Sequence, residues 1–532
     1  MAGKMFAAID VGSFDSELVI YEISRKNGIR EVDHVRFQLP VGRDTYNTGT
    51  ISQDMLREIC ELLDKFRGIM DSYRVDDYRA YACSALREAR NCSIVLDQIR
   101  VRTGLRVRTA NNSELRLLSL KGVASRGDTF DKILAEDTAV LDVGFGSSQL
   151  SLYREGRLIS TENLSLGVLR ISEMMMRWNI RTADIPETIC EMISNELGTY
   201  SKIHLGQVRI RTLIATGESI NYIIFRGMHE NPDAFRRITV SRDGRFTASE
   251  FTELCGKIGH MTAEQMDEIL DISSTYAAVL APSALIFEKV IAMTGAEKVW
   301  TPGINLCDGV AADWANEKKL VLMNHDFEED ILSTARNMAM RYCSNMDHVL
   351  QVEQMAAAIF DASKAYHGLD RRTRLLIRIA AILHDCGKFV SISRSSENSY
   401  RLIMSTELIG LSHLERELVA NVVRYNTQPY TYDDIQLESF VNRWAAKSIS
   451  GMDIRITIAR LAAILRVANS ADRSHCQKLR NAHVSVRGGK LIITTDYPGN
   501  LMLEKISVGQ KAEFFGEIYG LTPVLRQRAA RR

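Results

Sequence analysis

At 532 residues the chain is too long for a single core, and a prior of about 100 to 200 residues per domain suggests three or four units. Its 45% hydrophobic and 25% charged content is that of an ordinary globular protein, and a net charge of +1 gives no global field to argue for nucleic acid or a membrane surface. The nine cysteines, among them Cys60, Cys83, Cys307, Cys343 and Cys386, show no paired metal-ligand spacing and read as reduced thiols of a cytoplasmic protein, and no apolar stretch is expected to approach the roughly 20 residues that span a bilayer.

The chain opens with an apolar run, Phe6-Ala7-Ala8-Ile9, a loop, Asp10-Val11-Gly12-Ser13, and a half-alternating run, Glu17 to Tyr21, which together predict strand, tight turn and strand. A helix is expected over Ser52 to Phe66, with Met55, Ile59, Leu62 and Leu63 on one face. Arg79 to Cys83 reads as a buried strand running into the polar, helical segment Ser84 to Asn91. The same grammar restarts near Leu134: Thr138 to Leu141 is apolar, Asp142-Val143-Gly144-Phe145-Gly146-Ser147-Ser148 repeats the loop, and Gln149 to Tyr153 alternates again. A further strand is expected at Thr212 to Ala215.

After Asn316 helical periodicity takes over through about Leu479, and a tail from Ala482 to Gly520 alternates at Val484-Ser485-Val486 and Leu491 to Thr494 before a helix over Gly509 to Tyr519. These patterns divide the chain into two related α/β halves, 1–125 and 126–315, a helical domain, 316–480, and a small mixed α+β domain, 481–532.

The twice-written loop carries chemistry as well as shape. Glycines let backbone N–H groups ring an anion, a hydroxyl adds a donor, and a carboxylate at a strand end can hold a divalent cation. Two such hairpins facing one another would make a phosphate clamp.

Partner motifs make the repeat specific. Residues 83–91 (Cys-Ser-Ala-Leu-Arg-Glu-Ala-Arg-Asn), 113–117 (Ser-Glu-Leu-Arg-Leu), the loop at 142–148, Ser165 to Arg170 and the late loop Ala215-Thr216-Gly217-Glu218-Ser219 resemble the signature set of the exopolyphosphatase and guanosine pentaphosphate phosphohydrolase family. The resemblance implies a two-lobed fold of the actin and sugar-kinase type, built from duplicated ribonuclease-H-like halves with the active site in the cleft between them. It implies removal of terminal phosphate from inorganic polyphosphate or of the 5′ phosphate from guanosine pentaphosphate, using Mg²⁺ and water. It also implies a glutamate base in the Glu-x-Arg-Leu segment, a position that Glu114 fills.

On that reading Asp10 and Asp142 bind Mg²⁺ directly or through water, and Gly12, Ser13, Gly144, Gly146, Ser147, Ser148 and Gly217 supply donors to phosphate oxygens. Arg87 acts as a guanidinium fork on the terminal phosphate, and Glu114 orients and deprotonates the water. Plainer roles stand beside these: Arg87 pairing with Glu88, and Glu114 as a first-turn carboxylate favoured by a helix dipole. Register is ambiguous too, because matching backwards from Gly122-Val123 puts Leu115 in the place of the base.

The loops depart from the family pattern. Phe14 and Asp15 follow Ser13 where Asn-Ser is usual, Phe145 stands for a glycine, Gln149 for a glutamate, and Glu218 for the second of two glycines. These changes leave open altered substrate choice, weak activity, or a silent sensor that binds polyphosphate or the nucleotide without turnover.

In the helical part, His384-Asp385 after an apolar helix, with His348 upstream, resembles the HD metal-dependent phosphohydrolase superfamily. Asn469 stands where that superfamily has its last acidic ligand, Asn398 and Asn426 where metal-binding relatives carry histidine, and Asp472 lies three residues beyond Asn469. Neutral amides are poor ligands for a transition metal, so the domain is expected to have largely lost its metal and to wall a substrate channel and join subunits into a homodimer. A further reading places hydrolysis in this centre instead. Basic clusters at Arg371, Arg372 and Arg374 and at Arg526, Arg528, Arg531 and Arg532 are candidate contacts to a polyanion.

Overall fold

The computed structural model describes residues 3–82, 84–127, 129–181, 184–206, 208–226, 244–270, 274–430, 448–449 and 452–528; Cys83, Arg531 and Arg532 lie outside the described residues. The chain forms two compact units, Met1–Phe327 and Glu328–Arg532.

The first unit holds two sheets of one design. Strands β1 (Lys4–Val11), β2 (Asp15–Ser24), β3 (Gly28–Gln38), β4 (Asp77–Ala82) and β5 (Val107–Thr109) lie in the order β3-β2-β1-β4-β5. The meander β1-β2-β3 is antiparallel, and β4 and β5 add on parallel to β1. Strands β6 (Thr138–Val143), β7 (Ser148–Arg154), β8 (Arg157–Leu164), β9 (Thr212–Thr216), β10 (Arg245–Thr247) and β11 (Lys298–Trp300) repeat this as β8-β7-β6-β9-β11, with β10 as an extra antiparallel edge. The duplication read from the loops is therefore a duplication of whole sheets.

Period-2 alternation explains why the β1 run is apolar on both faces. Ala7, Ile9 and Val11 point with Leu18 and Ile20 into one core, where the helix Gln53–Ser72 presents Leu56, Ile59, Leu63 and Phe66. Phe6 and Ala8 point the other way, onto the helix Leu306–Glu317, and Phe6 stacks on Trp314 with ring centroids 4.5 Å apart. That helix, assigned by sequence to the end of the second half, thus packs on the first sheet. Asp313 fixes it there, accepting from Arg79 on β4 at 2.7 Å and from Lys121 at 2.5 Å.

One expectation is corrected. The helix stretch Thr275–Thr294, with mean hydropathy 1.6, is long and apolar enough to cross a membrane, whereas no such stretch was expected. About two thirds of it, 67%, is buried, because it supplies Val279, Leu280, Leu285, Ile286, Phe287 and Val290 to the core of the second half.

The second unit is mostly helical. Helices Met346–Ala362, Arg371–Leu383, His413–Arg424 and Ile454–Ser470 bury runs such as Leu375, Leu376, Ile379, Ala380 and Leu383. A two-stranded ribbon, β12 (Ser448–Ile449) and β13 (Met452–Asp453), interrupts the stretch expected to be free of strands. The tail forms the sheet β14 (His483–Arg487), β15 (Lys490–Thr495) and β16 (Thr522–Gln527), where β15 pairs antiparallel to β14 and parallel to β16. Its helix runs Met502–Tyr519, starting seven residues before the expected Gly509 because Met502 to Val508 continue the helical pattern.

Candidate active site

The turns after β1 and β6 line one cavity from the two halves of the first unit: Asp10, Gly12 and Ser13 on one side, Asp142, Gly144, Phe145, Gly146 and Ser147 on the other. Gly217 and Glu218, beyond β9, close a third side, and Asn112, Leu115 and Ser119 of the helix Asn112–Ala124 a fourth. Each turn sits at the end of a strand central to its sheet, so the duplicated topology brings equivalent loops face to face.

The two loops are locked by side chains that carry no charge. Ser13 Oγ lies 3.0 Å from Ser84 Oγ and 3.2 Å from Tyr46 Oη, and it accepts a hydrogen bond from the Ala85 N–H at 3.2 Å. Gly146 presses onto this cluster so closely that a Cβ there would stand 1.8 Å from Ser84 Oγ. Gly217 is required for a different reason: its φ is +120°, and a Cβ would stand 2.3 Å from the Val143 carbonyl oxygen. Behind the loops Phe14 and Phe145 pack ring against ring, centroids 4.9 Å apart, and both are buried.

Asp142 is a half-buried acid of the site. Ser119 Oγ donates to its Oδ2 at 2.6 Å, and burial pushes its carboxyl above the usual range, opposed by Ser119, Arg116 and Thr216. Arg116, 2% exposed, crosses to the second sheet, donating to Thr161 at 2.7 Å and to Gln149 Oε1 at 3.4 Å.

Three expected site residues are placed elsewhere. Glu114 is the third residue of a capping box: its Oε2 accepts from the Asn111 N–H at 3.0 Å, and its own N–H donates to Asn111 Oδ1 at 2.8 Å. The face this helix turns to the cavity runs 112, 115, 119, a helical repeat. Position 114 lies about 100° around the axis from 115. Leu115 therefore lines the cavity, and Glu114 is not among the residues that do. Arg87 donates to the Ala110 carbonyl at 2.7 Å and to Asn112 Oδ1 at 2.5 Å, which puts its guanidinium behind the cavity wall, with Glu88 4.0 Å away. Ser148 is fully buried and gives its hydroxyl proton to the Leu166 carbonyl at 2.5 Å.

The departures Asp15 and Glu218 meet at Arg36 on β3, which ion-pairs with Glu218, with Glu17 at 2.8 Å and with Asp15 at 3.6 Å. Tyr276 donates to Asp15 Oδ2 at 2.8 Å, and Glu17 also lies 2.9 Å from His34 Nε2. Burial opposes the Glu17 charge, but Arg36 and His34 outweigh it and hold its pKa down at about 2. Glu218 moves the other way, to about 7, because burial raises it and the repulsion of Glu17 and Asp15 offsets the pull of Arg36.

Sequence reasoning missed Tyr46, Ser84, Asn112, Ser119, Thr216 and Asn305. Ser84 and Thr216 stood inside quoted motifs without a role of their own, and Ser119 left a signal one helical turn beyond Leu115.

In the second unit His348, His384 and Asp385 come together, one ligand atom from each lying within 4.8 Å of the others. His348 Nε2 is 3.2 Å from His384 Nε2, and its Nδ1 is 2.8 Å from Asp472 Oδ2. Lys388 Nζ donates to Asp385 Oδ2 at 2.5 Å, and the His475 ring stacks on His348 at 3.7 Å. Burial lowers the pKa of His384. Asn469 is half-buried on the helix Ile454–Ser470; Asp472 is the residue that meets His348.

A profile of the Ppx/GppA phosphatase family matches residues 19–318, and a profile of Ppx/GppA phosphatase domain III matches residues 332–505. The chain is similar to the guanosine-5'-triphosphate,3'-diphosphate pyrophosphatase of Photobacterium profundum, 20% identical over 498 residues, which cover 92% of this chain and 91% of that protein. It is also similar to the bifunctional 3-dehydroquinate synthase/phosphatase of Fusobacterium nucleatum, 22% identical over 178 residues; that match takes in 31% of this chain and spans about a quarter, 26%, of that protein. Among solved structures, an exopolyphosphatase from Cytophaga hutchinsonii shares the fold, with a TM-score of 0.50 at 16% identity over 60% of this chain and 99% of that one. A Ppx/GppA family member from Aquifex aeolicus gives 0.49 at 17% identity, covering 61% of this chain and 100% of that one.

Proposed function

The chain belongs to the Ppx/GppA phosphatase family, and from that premise we propose that its cleft releases the terminal phosphate of inorganic polyphosphate or guanosine pentaphosphate to an attacking water. The observation that carries this reading is the convergence of two strand-end carboxylates, Asp10 and Asp142, with glycine turns from both duplicated halves on one cavity. Phosphoryl transfer asks for positioning and neutralised charge rather than covalent help, and this cavity is lined for that.

The donor set fits a hard divalent cation. Asp10 and Asp142 offer carboxylate oxygens, and the desolvation that raises the Asp142 carboxyl is relieved by a cation beside it. Mg²⁺ held there would neutralise charge on the phosphate oxygens. Backbone N–H groups around Gly12, Ser13, Gly146, Ser147 and Gly217 orient the terminal phosphate, the Gly144 N–H closes its own turn on the Ser147 carbonyl at 3.1 Å, and the Ser13-Ser84-Tyr46 cluster holds the two loops at fixed separation. A homodimer joined through the helical unit belongs to the same reading, supported by the exposed Phe389, Val390 and Ile392 on that unit.

The test is phosphate release from tripolyphosphate, long-chain polyphosphate and guanosine pentaphosphate with Mg²⁺, by wild type and Asp142→Asn. Turnover that Asp142→Asn removes supports the reading, and the substrate with the highest kcat/KM names the physiological class. Equal release by both proteins would refute it. Leu115 favours a second reading, because in the register counted back from Gly122 an apolar side chain stands in the place of the base. Saturable binding of both ligands without phosphate release would establish a sensor.

A further inference from the structure

The helix Asn112–Ala124 turns Leu115 to the cavity and holds the Glu114 carboxylate in its capping box, so this wall presents no acid to an attacking water. The described side chains that line the cavity offer one other acid besides Asp10 and Asp142, and it sits where the family pattern has a glycine: Glu218. We propose that Glu218 is the catalytic base of this chain, the carboxylate that receives the proton of the attacking water. The proposal rests on the phosphohydrolase reading of the same cleft.

Three observations converge on it. The first is position: Glu218 directly follows Gly217, whose left-handed backbone turns the loop, and both residues line the cavity with Gly12, Ser13, Gly144 and Gly146. A carboxylate there is within the same enclosure as the terminal phosphate. The second is reach. Oε2 is buried against Arg36, while the side chain as a whole is 22% exposed and belongs to a residue that lines the cavity.

The third is charge. One guanidinium, Arg36, serves three carboxylates, Asp15 and Glu17 from β2 and Glu218 from the loop after β9. His34 adds a positive partner only to Glu17. Tyr276 and Cys307 face the group as neutral neighbours. Three acids against one firm cation leave one proton affinity unusually high, and burial selects Glu218, at about 7. A carboxyl poised near neutrality suits a base, since proton transfer is most effective when the pKa is close to the working pH. The same poise weakens the repulsion that a permanently ionised Glu218 would exert on an incoming polyanion.

The step balances. The water oxygen forms the new P–O bond, and its proton passes to Glu218. The bridging P–O bond breaks with its electron pair on the oxygen of the departing chain, and Glu218 then returns the proton to solvent.

The experiment compares kcat and KM for tripolyphosphate hydrolysis, with Mg²⁺, in wild type, Glu218→Gln, the double variant Leu115→Glu/Glu218→Gln, and Asp142→Asn. Glu218→Gln is expected to lower kcat by about 100-fold or more with KM little changed, the usual effect of losing a general base. The double variant, which writes an acid back into the expected register, is expected to recover at least a tenth of the wild-type kcat. Arg36 keeps Asp15 and Glu17 as partners in Glu218→Gln, so the charge cluster remains paired. If that variant does not fold, the wild-type pH profile decides: a rise in kcat centred near pH 7 upholds the proposal and a flat profile overturns it. Unchanged kcat in Glu218→Gln alongside loss in Asp142→Asn overturns the proposal and leaves the phosphohydrolase reading standing. Absence of turnover in wild type overturns both.

Discussion

Gly146→Ala is the sharpest probe of how the two loops hold the phosphate. A methyl group at 146 would meet Ser84 Oγ at 1.8 Å, Tyr46 Oη at 2.5 Å and Ser84 Cβ at 2.8 Å, all far inside van der Waals contact. Ser84 Oγ cannot swing away freely, because it is 3.0 Å from Ser13 Oγ and 3.3 Å from Tyr46 Oη in a closed triangle of hydroxyls. Restoring an ordinary contact of about 3.5 to 4 Å asks the loop to retreat by more than 1 Å. Overpacking of this kind costs about 1 to 3 kcal/mol of stability, and a 1 Å misplacement of binding groups costs about 100-fold in rate. The assay is phosphate release from tripolyphosphate together with a denaturation midpoint. Gly146→Ala should lose roughly that factor in kcat/KM, and Ser84→Gly in the same chain, which deletes both the Oγ and the Cβ it strikes, should return part of it. Wild-type kinetics and stability in Gly146→Ala would refute the idea that the loops are held at a fixed gap.

Glu114→Ala removes one half of the capping box and should lower stability by about 1 kcal/mol, read from a denaturant midpoint, while phosphate release persists. Stability should also trace the charge cluster. Between about pH 2 and 4.5 the unfolded chain binds a proton at Glu17 that the folded chain does not, so stability rises with pH; between 4.5 and about 7 the folded chain keeps a proton on Glu218 that the unfolded chain has lost, so stability falls. Glu218→Gln should abolish the second change and spare the first, as denaturation midpoints across that range would report. Metal analysis of purified protein should find the His348, His384 and Asp385 cluster well below one transition metal per chain, because Lys388 already supplies positive charge to Asp385 and the neutral Asn469 stands in place of a fourth, acidic ligand. Stoichiometric zinc, iron or manganese lost in His384→Ala would contradict this.

What the sequence made legible was set by local pattern. The strand-loop-strand repeat at Asp10 and Asp142 depends on neighbours in the chain, and the duplicated sheets follow from it. The return of the helix Leu306–Glu317 to the first sheet was not legible, because Trp314 finds Phe6 across some 300 positions and nothing in its own segment announces the partner. Glu114 sits in a helix cap, away from the cavity lining, for a local reason. Its neighbours Asn111 to Ser113 carried a helix-start signal, and a carboxylate three residues after an asparagine cap is drawn to the cap's N–H. The motif Glu-x-Arg-Leu competes with that local chemistry, and the helix frame, fixed by Leu115 and Ser119, decides between them.

The loop departures, which taken singly look like decay, form two matched pairs in space. Phe14 in the first loop and Phe145 in the second fill the same volume, so either aromatic alone would leave a gap or a clash where the other now packs. Asp15 and Glu218, from loops more than 200 positions apart, share Arg36. The loops are thus joined by an aromatic contact behind the phosphate turns and by a shared guanidinium beside them. On the proposal that Glu218 is the base, the acid stands on the loop wall at 218 rather than on the helix wall at 115, and phosphate release by Glu218→Gln beside Leu115→Glu/Glu218→Gln measures that exchange directly.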